Sequence, residues 1–290
     1  MTTTVWHCRS TTLTFARGPL LLGIVNVTPD SFSDGGEFLD PSAAVDHALR
    51  LVADGAELLD VGGESTRPGA ESVSAAEELR RVLPVVQLLA KRTSIPISVD
   101  TSKASVAQAC LDAGAIIIND VTGLQGDAEM PAVAARAGAG LIVMHMQGTP
   151  ATMQLRPYYD DVVAEVAKFF HERLTTLESA GIARTAIAFD PGIGFGKTKP
   201  HNLQLLANLE SLRGSGRPLC LGVSRKGFIG SICNRPPLER VAGSLAVASL
   251  AAENPDLILR VHDIAPTRDV VSVTRAILDY RSPTASREKL

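Results

Sequence analysis

The chain has 290 residues, 45% hydrophobic and 20% charged, with a formal net charge of −3. This balance suits a soluble globular protein, one large barrel or two ordinary domains, and argues against nucleic acid or a membrane as the main partner. The four cysteines, Cys8, Cys110, Cys220 and Cys233, have neither CxxC spacing nor a neighbouring His pair. That excludes a cysteine metal cage and a disulfide framework, and points to reduced thiols in the cytoplasm.

Residues 1–18 read as an N-terminal extension or short hairpin. They lack a basic region followed by a long apolar one, so no secretion signal is expected. PLLLGIV (19–25) is too short to cross a bilayer and reads as the first barrel strand. Seven more apolar runs follow: ELLDV (57–61), IPISV (95–99), AIIIN (115–119), GLIVMH (140–145), AIAFD (186–190), PLCLGV (218–223) and DLILRV (256–261). They are continuous rather than alternating, as in parallel strands buried on both faces.

Helical periodicity fills the gaps, over 41–54, 74–91, 103–113, 128–137, 159–180, 201–210, 237–252 and 267–280. Asp40-Pro41, Ser74 with Glu77 as a capping box, and Pro266-Thr267 mark helix starts. Gly55, Gly114, Gly138 and Gly181 mark helix ends. Eight strand-then-helix units predict an α/β fold, a single (β/α)8 TIM barrel over 19–281, followed by a polar tail at 282–290. An open dinucleotide-binding sheet would carry G-x-G-x-x-G after its first strand, and NVTPDSFSDGG does not. The long loops after strands one and two (26–38 and 62–73) are rich in small polar residues and read as mobile covers for a ligand.

Each apolar run leads into polar residues: Asn26; Glu64 and Arg67; Asp100; Asn119 and Asp120; His145; Asp190; Arg225 and Lys226; Arg260, His262 and Asp263. Strand ends at one face of a barrel surround one pocket. Thr66, Arg67, Arg260 and His262 suit a phosphate or diphosphate, and the Asn26 amide oxygen suits Mg²⁺ bound to that anion. The competing reading is a surface network in which Arg260 pairs with Asp263. Asp100, Asn119 and Asp190 can grip a flat, donor-rich heterocycle, act as a general acid and base, or form a Mg²⁺ site with Asp120. Lys226 either contacts a ligand carbonyl or neutralises the carboxylates. DPGIGFGKT (190–198) fits neither the Walker A nor the dinucleotide pattern, so its glycines serve a tight turn or a close ligand approach. Lys197 and His201 are candidates for positioning that loop. His145 is either a ligand or base, or a satisfied core residue.

With those segments placed, the chain closely resembles the dihydropteroate synthase family. GIVNVTPDSFSDGG (23–36), LLDVGGESTRPGA (58–70), ISVDTSKA (97–104), IINDVTG (117–123), VMHMQGTPATMQ (143–154), DPGIGFGKT (190–198), LGVSRKGFIG (221–230) and RVHD (260–263) stand in the family's order and cover nearly the whole chain. The resemblance implies a cytoplasmic, homodimeric transferase of folate biosynthesis. Its reaction joins 6-hydroxymethyl-7,8-dihydropterin diphosphate to 4-aminobenzoate with Mg²⁺ as cofactor, and sulfonamides are its expected inhibitors. By motif position, Asp100, Asn119, Asp190, Lys226 and Met144 would hold the pterin. Asn26 would ligate the metal and, with Thr66, Arg260 and His262, hold the diphosphate. Phe32, Arg67, Pro68, Phe195, Lys226 and Gly227 would form the aminobenzoate site. Asp100, Asp190, Lys226 and Arg260 would carry catalysis. One departure stands out: the family often has Ser after SRK, where this chain has Gly227, which raises the question of sulfonamide sensitivity. The rivals are a pterin-binding methyltransferase domain and a non-catalytic pterin-binding barrel, neither of which needs the anion and second-substrate motifs.

Overall fold

Ten strands and ten α-helices make up most of the described residues. The structure is a computed structural model that describes residues 4–16, 18–28, 41–66, 69–254 and 256–280. The loop at 29–40, residues Phe32, Arg67 and Pro68, and the tail at 282–290 lie outside the described residues. Strands β1 (Val5–Cys8) and β2 (Thr11–Thr14) form an antiparallel hairpin. The remaining eight are β3 (Leu20–Asn26), β4 (Leu58–Gly62), β5 (Ile97–Asp100), β6 (Ile117–Asp120), β7 (Gly140–Met144), β8 (Ile187–Asp190), β9 (Leu219–Leu221) and β10 (Leu257–Val261). They are all parallel and close as a barrel in chain order, with β10 pairing β3. This is the expected (β/α)8 architecture.

The helices are α1 (Pro41–Ala53), α2 (Ala75–Arg92), α3 (Ala104–Asp112), α4 (Met130–Ala137), α5 (Val162–Ser179), α6 (Lys199–Ala207), α7 (Leu209–Leu212), α8 (Gly227–Cys233), α9 (Val241–Ala251) and α10 (Ile264–Asp279). Ser74 caps α2 by accepting from the Glu77 backbone N–H at 3.2 Å. The Glu77 side chain completes no capping box; it binds Arg80 and Arg81 instead. Gly55, Gly114, Gly138 and Gly181 all take positive φ at the expected helix ends. Helix α8 was not expected, because its seven residues include two glycines and give no readable periodicity.

Strand alternation divides the core in two. Leu59, Val61, Val99, Ile118, Leu141, Val143, Phe189, Leu221 and Leu259 face outward and pack under the helices. Leu22, Leu58, Ile117, Ile142, Ala188, Cys220 and Ile258 face inward and pack with Trp6, Cys8 and Phe15 of the N-terminal hairpin segment. That segment stoppers the end of the barrel where the strands begin. Its bonds are specific: Trp6 Nε1 donates to the Ala186 carbonyl at 2.8 Å, and Arg9 Nη1 to that of Leu111 at 2.8 Å.

Candidate active site

At the opposite end the inward positions turn polar. Counting by twos along each strand from the inward residues, Ser98 in β5 and apolar side chains in the others, reaches Asp60, Asp100, Asn119, Met144, Asp190 and Arg260. Asp100 and Asn119 are register partners across β5 and β6, and Met144 and Asp190 across β7 and β8. One pocket is lined by Thr66, Asp100, Asn119, Met144, Asp190, Phe195, Lys226 and Arg260, with Val121, Ile193 and Gly222. The structure thus brings together eight residues singled out from sequence. Asn26, His262 and Gly227 are not in that lining. Asp120 is one residue off the inward phase. Its carboxylate instead accepts from Thr122 and from the Leu124 N–H, so it stabilises a turn and is no part of a metal site with Asp100.

The pocket floor is an ionic network. Arg260 Nε donates to Asp60 Oδ2 at 2.6 Å, and its Nη2 to Asp100 Oδ2 at 2.7 Å. Asn119 Nδ2 donates to the same Asp60 oxygen at 2.9 Å. This corrects two readings. Arg260 does not pair with Asp263, which is held by Arg225 at 2.5 and 3.0 Å. Nor is Arg260 devoted to an anion: two of its nitrogens serve carboxylates, and Nη1 is the one left over. Asp60 was missed altogether. Its signal was present, since a charge inside the run ELLDV on a doubly buried strand needs a buried partner.

Burial dominates the electrostatics. It pushes the Asp100 carboxyl up to about 7; Arg260 opposes this, while Asp60, Glu78 and Asp120 reinforce it. Asp190 is also raised by burial, against a 2.6 Å hydrogen bond from the Gly192 N–H and the attraction of Lys226. Burial lowers Lys226 to about 8, with Asp190 pulling it back up. For Arg260 burial works downward, but Asp60 and Asp100 outweigh it and hold the guanidinium above its ordinary value. The pocket therefore offers carboxylates and an amide for N–H donors, beside a lysine whose Nζ stands 4.2 Å from the centre of the Phe195 ring.

His262 and Asn26, the residues expected to meet an anion and its metal, lie at the ends of β10 and β3. His262 Nδ1 is 3.1 Å from Ser224 Oγ, and burial with the charges of Arg260 and Arg225 lowers its pKa to about 4. It is a neutral ring in the free protein. The Asn26 side chain ends β3 without a hydrogen-bond partner among the described residues. Among those residues no group of three or more His, Cys, Asp or Glu gathers to hold a metal.

The turn after β8 presses against the chain after β7. A Cβ on Gly192 would stand 2.0 Å from the His145 carbonyl oxygen, and one on Gly196 2.6 Å from that of Gln147. Both glycines also have positive φ, 66° and 59°. Their role is close backbone packing between neighbouring turns. Thr198 and His201 form the capping box that starts α6, placing His201 as a support for this turn. Gly227 opens α8 and is exposed; a Cβ there meets nothing within 4 Å.

A (β/α)8 barrel with acidic and amide groups at its strand ends, a buried Arg–Asp floor and a lysine beside it defines a class: barrel enzymes whose pocket at the strand ends suits a donor-rich ligand. Residues 22–262 match the family model described as "Pterin binding enzyme". The dihydropteroate synthase of Escherichia coli (strain K12) is 49% identical over 263 residues, covering 91% of this chain and 93% of that one. Among solved structures, Xanthomonas albilineans dihydropteroate synthase with 4-aminobenzoic acid is 47% identical with a TM-score of 0.89, covering 96% of this chain and 99% of that one. The Yersinia pestis enzyme in a sulfonamide drug complex is 45% identical with a TM-score of 0.90, covering 95% and 100%. The chain belongs to the dihydropteroate synthase family of pterin-binding enzymes.

Proposed function

We propose that this chain joins 6-hydroxymethyl-7,8-dihydropterin diphosphate to 4-aminobenzoate, giving 7,8-dihydropteroate and diphosphate, at the mouth of the barrel. The observation that carries the site assignment is the single pocket lined by Asp100, Asn119, Asp190, Lys226 and Arg260. The N–H-rich edge of the pterin matches Asp190, the free oxygen of Asp100 and the Asn119 amide. Lys226 donates to the ring's acceptor atoms, and Met144 packs on its face. Thr66, His262 and Arg260 Nη1 take the diphosphate.

Asn26 suits Mg²⁺ as one amide oxygen ligand, the diphosphate and water supplying the others, as this cation prefers. When bound, the ion would neutralise charge on the departing diphosphate. In an S_N1-like course, the methylene C–O bond breaks and its electrons leave with the diphosphate. The positive charge at the methylene spreads into the ring, where ionised Asp100 stabilises it. The aminobenzoate nitrogen then forms the C–N bond and gives up a proton. The second substrate enters beside the pterin, against Phe195, Lys226 and Gly227.

Diphosphate release on mixing both substrates, with and without Mg²⁺ and a sulfonamide, tests this reading. The expected result is Mg²⁺-dependent release that the sulfonamide suppresses. A pterin-binding methyltransferase or a non-catalytic barrel would release none, and full activity of Asp190→Asn would sink the site assignment.

A homodimer formed through α9 and α10 is part of the proposal, supported by Leu250, Val273 and Ile277, which these two packed helices leave exposed. Sedimentation of Leu250→Glu should show monomer; an unchanged dimer would place the interface elsewhere. Four free cysteines, three of them buried, support a reducing cytoplasm. Among the described residues no helix is long and apolar enough to cross a membrane.

A further inference from the structure

Lys197 is the least expected cation in the molecule, only 3% exposed. Its Nζ donates to the Phe195 carbonyl at 2.9 Å, to His145 Nδ1 at 3.0 Å and to the His145 carbonyl at 3.2 Å. No carboxylate forms an ion pair with it among the described residues. A buried ammonium held only by neutral acceptors is costly, and an apolar side chain would fill the same space at less cost. Filling the turn therefore does not explain it.

The three acceptors come from two chain segments. Phe195 belongs to the turn after β8, and His145 directly follows β7. That turn lies against residues 145–147 so closely that Gly192 and Gly196 admit no side chain. Asn202 Oδ1 accepts from the Gly194 N–H at 2.7 Å, and the Tyr159 hydroxyl donates to the Gly196 carbonyl at 2.9 Å. Lys197 supplies the link that reaches Phe195 itself, whose ring stands under Lys226.

We propose that Lys197 and His145 are a positioning pair for the second substrate. Anchored on the His145 ring and carbonyl, the ammonium fixes the Phe195 carbonyl and so sets the Phe195 ring against Lys226 at the aminobenzoate side of the pocket. The inference rests on the placement of Phe195 at that side in the proposed function. Burial lowers the Lys197 pKa to about 7, with Asp190 pulling it back up; in its ammonium form the side chain has donors only, so His145 Nδ1 is then the acceptor and the ring proton sits on Nε2. Burial and the charge of Lys197 lower the His145 pKa to about 3, which keeps the ring in that acceptor state at working pH. Its edge-to-face contact with Phe169, 4.9 Å between centres, holds the ring plane.

Steady-state kinetics on Lys197→Met, His145→Ala, His145→Asn and Phe195→Ala test the pair. Lys197→Met should raise KM for aminobenzoate about tenfold and leave that for the pterin diphosphate within about twofold. His145→Ala should match it. His145→Asn should stay near the parent, because the amide oxygen replaces Nδ1 as acceptor. The ¹⁵N shifts of the His145 ring should show the Nε2–H tautomer in the parent and lose that preference in Lys197→Met. Equal rises in both KM values, or His145→Asn no better than His145→Ala, would overturn the pair, and the two His145 variants decide the matter if Lys197→Met does not fold. Should Phe195→Ala leave KM for aminobenzoate unchanged, the placement of Phe195 fails and the inference falls with it. Should Phe195→Ala raise it while Lys197→Met does not, the positioning pair alone fails.

Discussion

At one end of the barrel Leu58, Ile117, Ala188 and Ile258 face inward and close against Trp6, Cys8 and Phe15. Two residues further along the same four strands, the inward positions hold Asp60, Asn119, Asp190 and Arg260. A single step of the pleat separates a sealed apolar plug from a charged floor. The apolar end gains free energy from burial. The polar end expends some of it, because every charge there must be desolvated and then matched. Stability and chemistry are thus stacked along one axis, and substitutions at the two ends should be separable.

The largest effect is expected where the separation breaks down. Arg260→Ala leaves Asp60 and Asp100 without their shared cation, so it should lower activity by about 10²–10³-fold. It should also destabilise the fold by about 3–5 kcal/mol. Denaturant unfolding beside the diphosphate-release assay measures both, and a stable but inactive variant would show that the floor is not structural. Trp6→Ala should sharpen the comparison. Removing a fully buried indole costs about 3–5 kcal/mol, while kcat at 25 °C should hold steady; lost activity in the still-folded protein would tie the plug to the chemistry.

A smaller, graded effect concerns pH. Asp100 must be ionised to stabilise the cation, so kcat/KM for the pterin diphosphate should rise as pH increases through about 7. Lys226 must be protonated to donate, so the same parameter should fall above about 8. The result is a narrow bell whose limbs belong to the coupled set of groups. A profile flat from pH 6 to 9 (roughly one unit either side of those limbs) would refute both assignments. The smallest effect is expected at Gly227→Ser. The new side chain has open space, so melting should be unchanged. Inhibition by sulfamethoxazole and KM for aminobenzoate should each tighten by a few-fold, roughly one hydrogen bond's worth; no change in either would remove residue 227 from the substrate site.

The barrel was legible because its eight strands are continuous apolar runs with marked helices between them, and burial on both faces leaves no other reading. Asp100, Asn119 and Asp190 were legible because each stands at or one residue before the end of its strand, in the inward phase. Asp60 was not, because it lies inside a run that otherwise reads as core, and its partner Arg260 is 200 residues away. His145 looked idle because its partner, Lys197, belongs to a different turn. Helix α8 was hidden by its length. Pairings between distant segments, rather than residue types, are what escaped.

Asp60 Oδ2 accepts from Arg260 and from Asn119 at once. Because one atom serves both, neither partner has a private anchor. A change at Asn119 alters the hold on Arg260, and a change at Arg260 alters the hold on Asn119, so their substitutions should fail to add in a double-mutant cycle. The node therefore behaves as a three-way hinge pin: an altered side chain at position 60, 119 or 260 is felt at the other two as well.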